Sequence, residues 1–443
     1  MTNPRALIPL MILILALDLG SGTRLGGRRR RGGGLLSPPR RPEGTELPED
    51  QWFLQRLDHF NPTDGRTWKQ VGMRGTLEDA SVENLAYLSS EQALADLATF
   101  TVAMQEELGL KENKWIAFGG SYPGSLAAWY RLKYPHLVHG SVATSAPVVA
   151  QINFKEYLEV VRDALATVND KCDEAVKEAT RQLNMLLLHR VGWQSITKRF
   201  KLCSPLDGQN KKDVANLFSI LTENLEDVVQ YNRDNRDFEG VKGTNITIDT
   251  LCDIMLDESR GPAITRYAAI NSLVLEVHEE ECLDHTYDSM IKELKATNWE
   301  NNTDIGGRSW IYQTCTEFGF YQSSDSLNQP FGNEFPVNFF IQQCQDIYGE
   351  KFNLDLLKEG VKRTNTLYGG KDLKVTRVVF PNGSIDPWHA LGITDNLSPD
   401  ATAIFINGTA HCANMYPQAA DDPPQLLHAR EQVFNHIQKW LEE

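Results

Sequence analysis

Trp115-Ile116-Ala117-Phe118-Gly119-Gly120-Ser121-Tyr122-Pro123-Gly124 is the stretch whose reading decides how this chain folds. Its four leading apolar residues read as a short strand and the glycines after them as a tight turn. Residues 125–133 continue as a helix, with Leu126, Trp129 and Leu132 on one side. A strand–turn–helix of this kind leaves Ser121 exposed at a strained apex and turns helix amides toward it. The pattern Gly-x-Ser-x-Gly also fits a plain turn, and here Pro123 stands where a small residue is usual. Proline is tolerated in a first helical turn because its missing N–H would have no intrahelical partner.

Working outward, residues 91–108 read as a helix through Leu94, Leu97, Ala98 and Met104, and residues 140–144 as the next strand. From 151 to 365 the texture is helical, as in 154–165, 172–188 and 212–224, with few apolar β-rich runs. Strand patterns return at 377–380 and 403–406, and an amphipathic helix over 425–441 closes the chain through Leu426, Val433, Ile437 and Leu441. This order predicts an α/β-hydrolase fold built from residues 51–150 and 366–443, with residues 151–365 as a helical insertion.

A serine hydroxyl is a weak nucleophile until a base takes its proton, an acid orients that base, and donors meet the developing oxyanion. Two later segments supply such groups. Asp386 follows strand 377–380 after a loop read as 381–385, and His411 follows strand 403–406 after Asn407-Gly408-Thr409-Ala410. Both lie just past the carboxyl ends of strands, where catalytic groups gather in open α/β sheets. The chain order Ser…Asp…His is that of α/β-hydrolases. The reading therefore takes Ser121 as nucleophile, His411 as general base, Asp386 as orienting acid and the Tyr122 N–H as an oxyanion donor. His389 is the rival base, but it lies too near Asp386 to come from a separate strand. His59, His136 and His139 are assigned to surface or packing. Cys412 lacks the setting of an activated thiol.

The chain has 443 residues, room for two domains or one with a large insertion. Its 41 % apolar and 23 % charged residues fit a folded globular protein. A net charge of −15, from 44 basic and 59 acidic residues, repels phosphate backbones and argues against nucleic acid as a partner. Arg5, the apolar run 6–17 and the small residues Gly20, Ser21 and Gly22 have the layout of a cleavable secretory signal over 1–22, too short an apolar run for a spanning helix. Residues 23–50, rich in Gly, Arg and Pro, read as a flexible leader. After such a signal, seven cysteines with no CxxC spacing point to disulfides rather than a structural zinc. The odd count leaves at least one thiol free or bonded to another chain. Six of the seven fall between Cys172 and Cys344. Asn245 and Asn301 head glycosylation sequons in the same region. Neither a metal nor a cofactor is implied.

Gly119-Gly120-Ser121-Tyr122, Asp386-Pro387-Trp388 and the His411 loop, with residues 56–61, 85–97 and 310–320, carry a resemblance. They resemble the serine exopeptidase family that includes prolylcarboxypeptidase and the lysosomal dipeptidyl peptidase, with likeness to its thymus-specific branch. The resemblance spans nearly all of 51–443. It implies an α/β-hydrolase with a helical insertion between Ser and Asp, acting on peptides in endosomes, lysosomes or outside the cell. It implies cleavage next to proline near a peptide end, a pocket walled by Trp388 with Glu317 and Phe318 close by, and a Cys315–Cys344 disulfide. Related enzymes are often dimers, so it also raises a homodimer. The short N-terminal apolar run, with no longer one elsewhere, implies no stable membrane insertion. One departure stands out. Family members carry several dozen residues between the segments like 56–61 and 85–97, including core strands and a glycine turn near the oxyanion hole. Here Thr67-Trp68-Lys69-Gln70 runs almost directly into Val71-Gly72-Met73-Arg74. Losing one oxyanion donor costs about 100- to 1,000-fold in turnover. The alternative reading is therefore a catalytically impaired isoform or a non-catalytic binding remnant of the family.

Overall fold

The computed structural model describes residues 52–70, 79–234, 242–298 and 305–443. At its centre is a four-stranded sheet, β3 (Ile116–Gly120), β4 (Gly140–Thr144), β7 (Val378–Gly383) and β8 (Ala401–Ile406), in that spatial order. Every pairing in it is parallel, with Phe118 opposite Val142, Val142 opposite Val379 and Phe380 opposite Ala403. Strands buried on both faces read as continuous apolar runs rather than alternations, and β4 and β7 are buried at every position. One face packs on α3 (Tyr122–Lys133), through Ala143, Val378 and Phe380 of the larger core. The other, through Ile116, Val142, Val379, Ile404 and Ile406, packs on Leu426, Val433 and Trp440 of α14 (Pro424–Glu442).

Ahead of the sheet lie an antiparallel hairpin, β1 (Phe53–Arg56) with β2 (Thr67–Gln70), a short α1 (Val82–Leu85) and α2 (Ser90–Glu107). Ser89 opens α2 by accepting from the Gln92 N–H. Between β4 and β7 the chain is mostly helical. In order come α4 (Glu156–Val168), α5 (Cys172–Leu187), α6 (Arg190–Arg199), α7 (Lys211–Gln230), α8 (Ile248–Leu256), α9 (Ala263–Val277), α10 (Tyr287–Leu294), α11 (Ile305–Gln313), α12 (Val337–Tyr348) and α13 (Leu354–Tyr368). A short parallel pair, β5 (Gln151–Asn153) with β6 (Gly319–Tyr321), sits among them. Three disulfides staple this region, Cys172–Cys252, Cys203–Cys282 and Cys315–Cys344, and Cys412 is free. Among the described residues, no helix is long and apolar enough to cross a membrane.

Several boundaries differ from the sequence reading. Gly119 and Gly120, read as turn, close β3 because they pair with Ala143 and Thr144, and β8 begins at Ala401 rather than 403. Residues 381–383 belong to β7 and not to a loop, because Pro381 and Gly383 pair with Ile404 and Ile406. Pro381 has no N–H to give the ladder, and it takes part through its carbonyl, which accepts from the Ser145 N–H at 2.7 Å. Helix α7 runs six residues past 224, to Gln230, because Leu225 and Val229 keep the buried stripe going.

Candidate active site

The direct passage from β3 into α3 at Ser121 is forced by close backbone approach. Gly119 lies where a Cβ would meet the Pro123 carbonyl oxygen at 2.0 Å, and Gly124 where one would meet the Thr144 oxygen at 2.6 Å. Only glycine lets β3 fold straight into α3 at that distance. Ser121, between them, takes φ 62° and ψ −134°, a region that side chains rarely occupy. Its N–H donates to the Thr144 oxygen at 3.0 Å, and its carbonyl accepts from the Gly124 N–H at 2.8 Å. The Tyr122 N–H falls in the first turn of α3, where backbone donors have no partner within the helix. The Tyr122 ring points away into the core, where its hydroxyl accepts from Gln313 Nε2 at 3.1 Å. Burial, and then the nearby Glu317, push that phenol well above its ordinary pKa, so it stays neutral.

Asp386 and His411 meet at the same end of the sheet. His411 Nδ1 lies 2.9 Å from Asp386 Oδ1, with both side chains buried. Asp386 Oδ1 also accepts from the Trp388 N–H at 3.0 Å, which holds the carboxylate at the start of a 3₁₀ turn over Pro387–Leu391. Burial opposes a charged His411, but the Asp386 carboxylate and the adjacent Cys412 outweigh it and raise the imidazole pKa well above its usual value. The Nδ1 bond leaves Nε2 as the nitrogen free to take a proton, and Nε2 is buried with no hydrogen-bond partner.

No hydrogen bond joins that Nε2 to Ser121. The two loops nevertheless pack together. A Cβ on Gly120 would lie 2.8 Å from Cys412 Sγ and 2.9 Å from Met415 Sδ. Ser145 Oγ accepts from the Cys412 N–H at 3.0 Å, one residue beyond the Thr144 carbonyl that holds Ser121. Catalytic hydrogen bonds often tighten only when substrate is bound. The sequence reading expected Ser121 to stand exposed, but it is only 5 % exposed, because the loops after β4 and β8 pack over its turn. The arrangement has the parts for acyl transfer: a serine at a strained apex, a base oriented by a buried acid, and a helix N-terminus beside them.

The remaining predicted residues fall in several places. Trp388 is buried against Phe154, Tyr157 and Phe320, with ring centroids 5.4–5.7 Å apart. Phe318 lies behind it, stacked on Phe320 at 5.4 Å and tilted against Tyr122 at 5.3 Å. Glu317 is a buried carboxylate that accepts from the Ser90 N–H and hydroxyl and from Gln313 Nε2, tying the start of α2 to the turn at 314–318. Its pKa is raised, with burial the main cause and these hydrogen bonds opposing it. Asn245 is exposed, whereas Asn301 lies outside the described residues, as do the signal and leader. His59, assigned to surface or packing, pairs with Asp96 at 2.7 Å. His389, the rival base, is partly buried, and its ring faces Phe405 at 5.3 Å rather than the serine loop.

Three residues at the site escaped sequence reading. Gln230 and Tyr157 contact Trp388 from the helical region, and Arg430 of α14 donates to the Ala413, Asn414 and Tyr416 carbonyls just after His411. The apolar spacing of Leu221, Leu225 and Val229 was a signal that α7 reaches Gln230. Nothing in sequence links Arg430 to the histidine loop.

The profile of the serine carboxypeptidase S28 family matches residues 71–433. A putative serine protease of Caenorhabditis elegans is 36 % identical, covering 88 % of this chain and 84 % of its own. Mouse thymus-specific serine protease is 33 % identical over 90 % of this chain and 88 % of its own. Human lysosomal Pro-X carboxypeptidase is 27 % identical over 81 % and 70 %. The nematode alignment is 456 positions long, yet 88 % of 443 residues is about 390, so about 66 of its positions have no counterpart in this chain.

Proposed function

Because this chain belongs to the serine carboxypeptidase S28 family and is a serine-type peptidase, we propose that it is an exopeptidase whose triad is Ser121, His411 and Asp386. Ser121 Oγ attacks the scissile carbonyl while His411 Nε2 takes its proton, and Asp386 holds the imidazole tautomer and balances the imidazolium. The Tyr122 N–H donates to the oxyanion. His411 then returns the proton to the leaving amine, and water repeats the cycle on the acyl-enzyme. Trp388 walls the site for the residue preceding the cut, with Phe318 and Glu317 as its support from behind. Likeness to lysosomal Pro-X carboxypeptidase supports cleavage beside proline, in the endosomal and lysosomal system or outside the cell. On this reading the mature protein lacks residues 1–22 and carries glycans on Asn245 and Asn301. The domains follow the sequence division at 150 and 366. The observation that carries the reading is the buried 2.9 Å Asp386–His411 pair, packed loop-to-loop against the Ser121 turn.

A fluorophosphonate probe tests it. Labelling of the native protein that disappears in Ser121→Ala supports the triad, and a folded protein that never labels rejects it. Peptides blocked at one end or the other then tell carboxypeptidase from dipeptidyl peptidase action. One observation favours the impaired-isoform reading. Among the described residues β3 pairs on one side only, with β4, and about 66 aligned positions of the nematode relative are missing here. A folded, unlabelled protein is the outcome that reading expects.

A further inference from the structure

We propose that Gln230, at the end of α7, is a positioning residue that locks the acid loop and the base loop into one geometry. The proposal rests on the triad reading above. Gln230 is fully buried. Its main-chain oxygen accepts from the His411 N–H at 2.9 Å. Its side-chain Oε1 accepts from Trp388 Nε1 at 2.8 Å and from the Tyr157 hydroxyl at 2.6 Å. An indole N–H can only donate, so the amide orientation is fixed: Oε1 faces Trp388 and Tyr157.

These bonds close a circuit. His411 holds Gln230 by its main chain, Gln230 holds the Trp388 indole, the Trp388 N–H holds Asp386 Oδ1, and Asp386 Oδ1 holds His411 Nδ1. The loops at 384–391 and 407–416 come from different strands, β7 and β8. Gln230 comes from neither. It is set by the buried stripe of α7, including Leu225 and Val229. One residue of the helical region thus bridges both loops, and a residue that fixes two reacting groups governs their relative placement. Misplacement of about 1 Å can cost about a hundredfold in rate. The amide suits the task because it accepts two donors without placing a charge beside the Asp386 carboxylate, whereas a hydrophobe would leave the Trp388 and Tyr157 donors unpaired.

The test uses the whole chain with its three disulfides, and reads Ser121 labelling by the fluorophosphonate probe against pH together with thermal melting. Gln230→Leu keeps the size and the main-chain bond to His411 but removes the acceptor. It is expected to slow labelling by about ten- to a hundredfold and to shift the pH inflection of His411. Gln230→Glu retains an acceptor and, at the acid end of the series where its buried carboxyl stays protonated and adds no charge beside Asp386, is expected to recover most of that rate. Labelling of Gln230→Leu at the native rate with an unmoved inflection overturns the proposal. So does an equal loss in both variants that merely tracks a fall in melting temperature. If Gln230→Leu does not fold, Tyr157→Phe removes one donor from the same oxygen and must move the inflection in the same direction; an unmoved inflection overturns the proposal. Failure of the triad reading is separable. If the native protein never labels, the low-field proton resonance of the His411 Nδ1–H still reports the circuit without catalysis. Its displacement by Gln230→Leu supports the positioning role, and its constancy refutes it.

Discussion

Ser121 holds φ 62° because Gly119 and Gly124 permit backbone contacts that a methyl group would forbid. The two glycines before it differ in what a side chain would strike. At Gly120 a Cβ meets the sulfurs of Cys412 and Met415 at 2.8 and 2.9 Å, the ends of side chains that can move. At Gly119 it meets backbone at 2.0 Å, which cannot. Gly120→Ala is therefore expected to fold with a loss of about 1–3 kcal/mol, partly restored in a Gly120→Ala/Met415→Ala double variant. Gly119→Ala is expected not to reach the native state, and thermal melting of the three proteins checks both. Asp386→Asn should leave the fold intact, cut turnover by about 10⁴-fold, and move the labelling inflection of His411 to lower pH, because the carboxylate that raises its pKa is gone. A pH series of probe labelling reads that shift.

At the scale of elements, the site depends on parallel strands that end at one edge. β7 and β8 deliver Asp386 and His411, and β3 delivers Ser121, from the same carboxyl end. The helices between β4 and β7 contribute Gln230 and Tyr157 to that edge, so their packing bears on the chemistry. The Cys172–Cys252 bond joins α5 to α8 across 80 residues of chain. A loop of that length implies about 4 kcal/mol of stabilisation through the unfolded chain. Replacing both cysteines by serine should lower stability by about that amount in chemical denaturation, and slow labelling through loss of α7 order rather than through any direct contact with Ser121.

At the scale of the whole molecule, buried acids tie stability to pH. Glu226 of α7 is buried, and desolvation, reinforced by Asp227, raises its pKa well above the ordinary carboxyl value of 4.5. Tyr157 and Tyr267 feel its charge from neighbouring helices. The native chain then keeps a proton that the unfolded chain gives up. That stabilisation is fully present below the unfolded pKa of Glu226 and is lost as pH rises toward its folded value. His411, whose pKa is also raised, has the same sign. The protein is expected to melt at higher temperature in mildly acidic buffer than at neutral pH, and Glu226→Gln to flatten that dependence. Melting curves across the range measure both. An acid-favoured fold suits the lysosomal setting of its Pro-X carboxypeptidase relatives.

The local pattern of the chain was enough to determine the strand–turn–helix at 115–133, the parallel strands near 140, 378 and 403, the closing helix and the order Ser…Asp…His. Each of these is written in short-range apolar spacing and glycine placement. The sequence also carried the departure near residue 70. What it left open was everything that depends on distant contact: that Asp386 and His411 meet at 2.9 Å, that Glu317 ties down α2 through Ser90, and that Gln230 bridges both loops. The pairing Cys172–Cys252 and Cys203–Cys282 was open for the same reason. Such contacts join residues tens to hundreds of positions apart, and no periodicity along the chain encodes which of them the packed core will bring together.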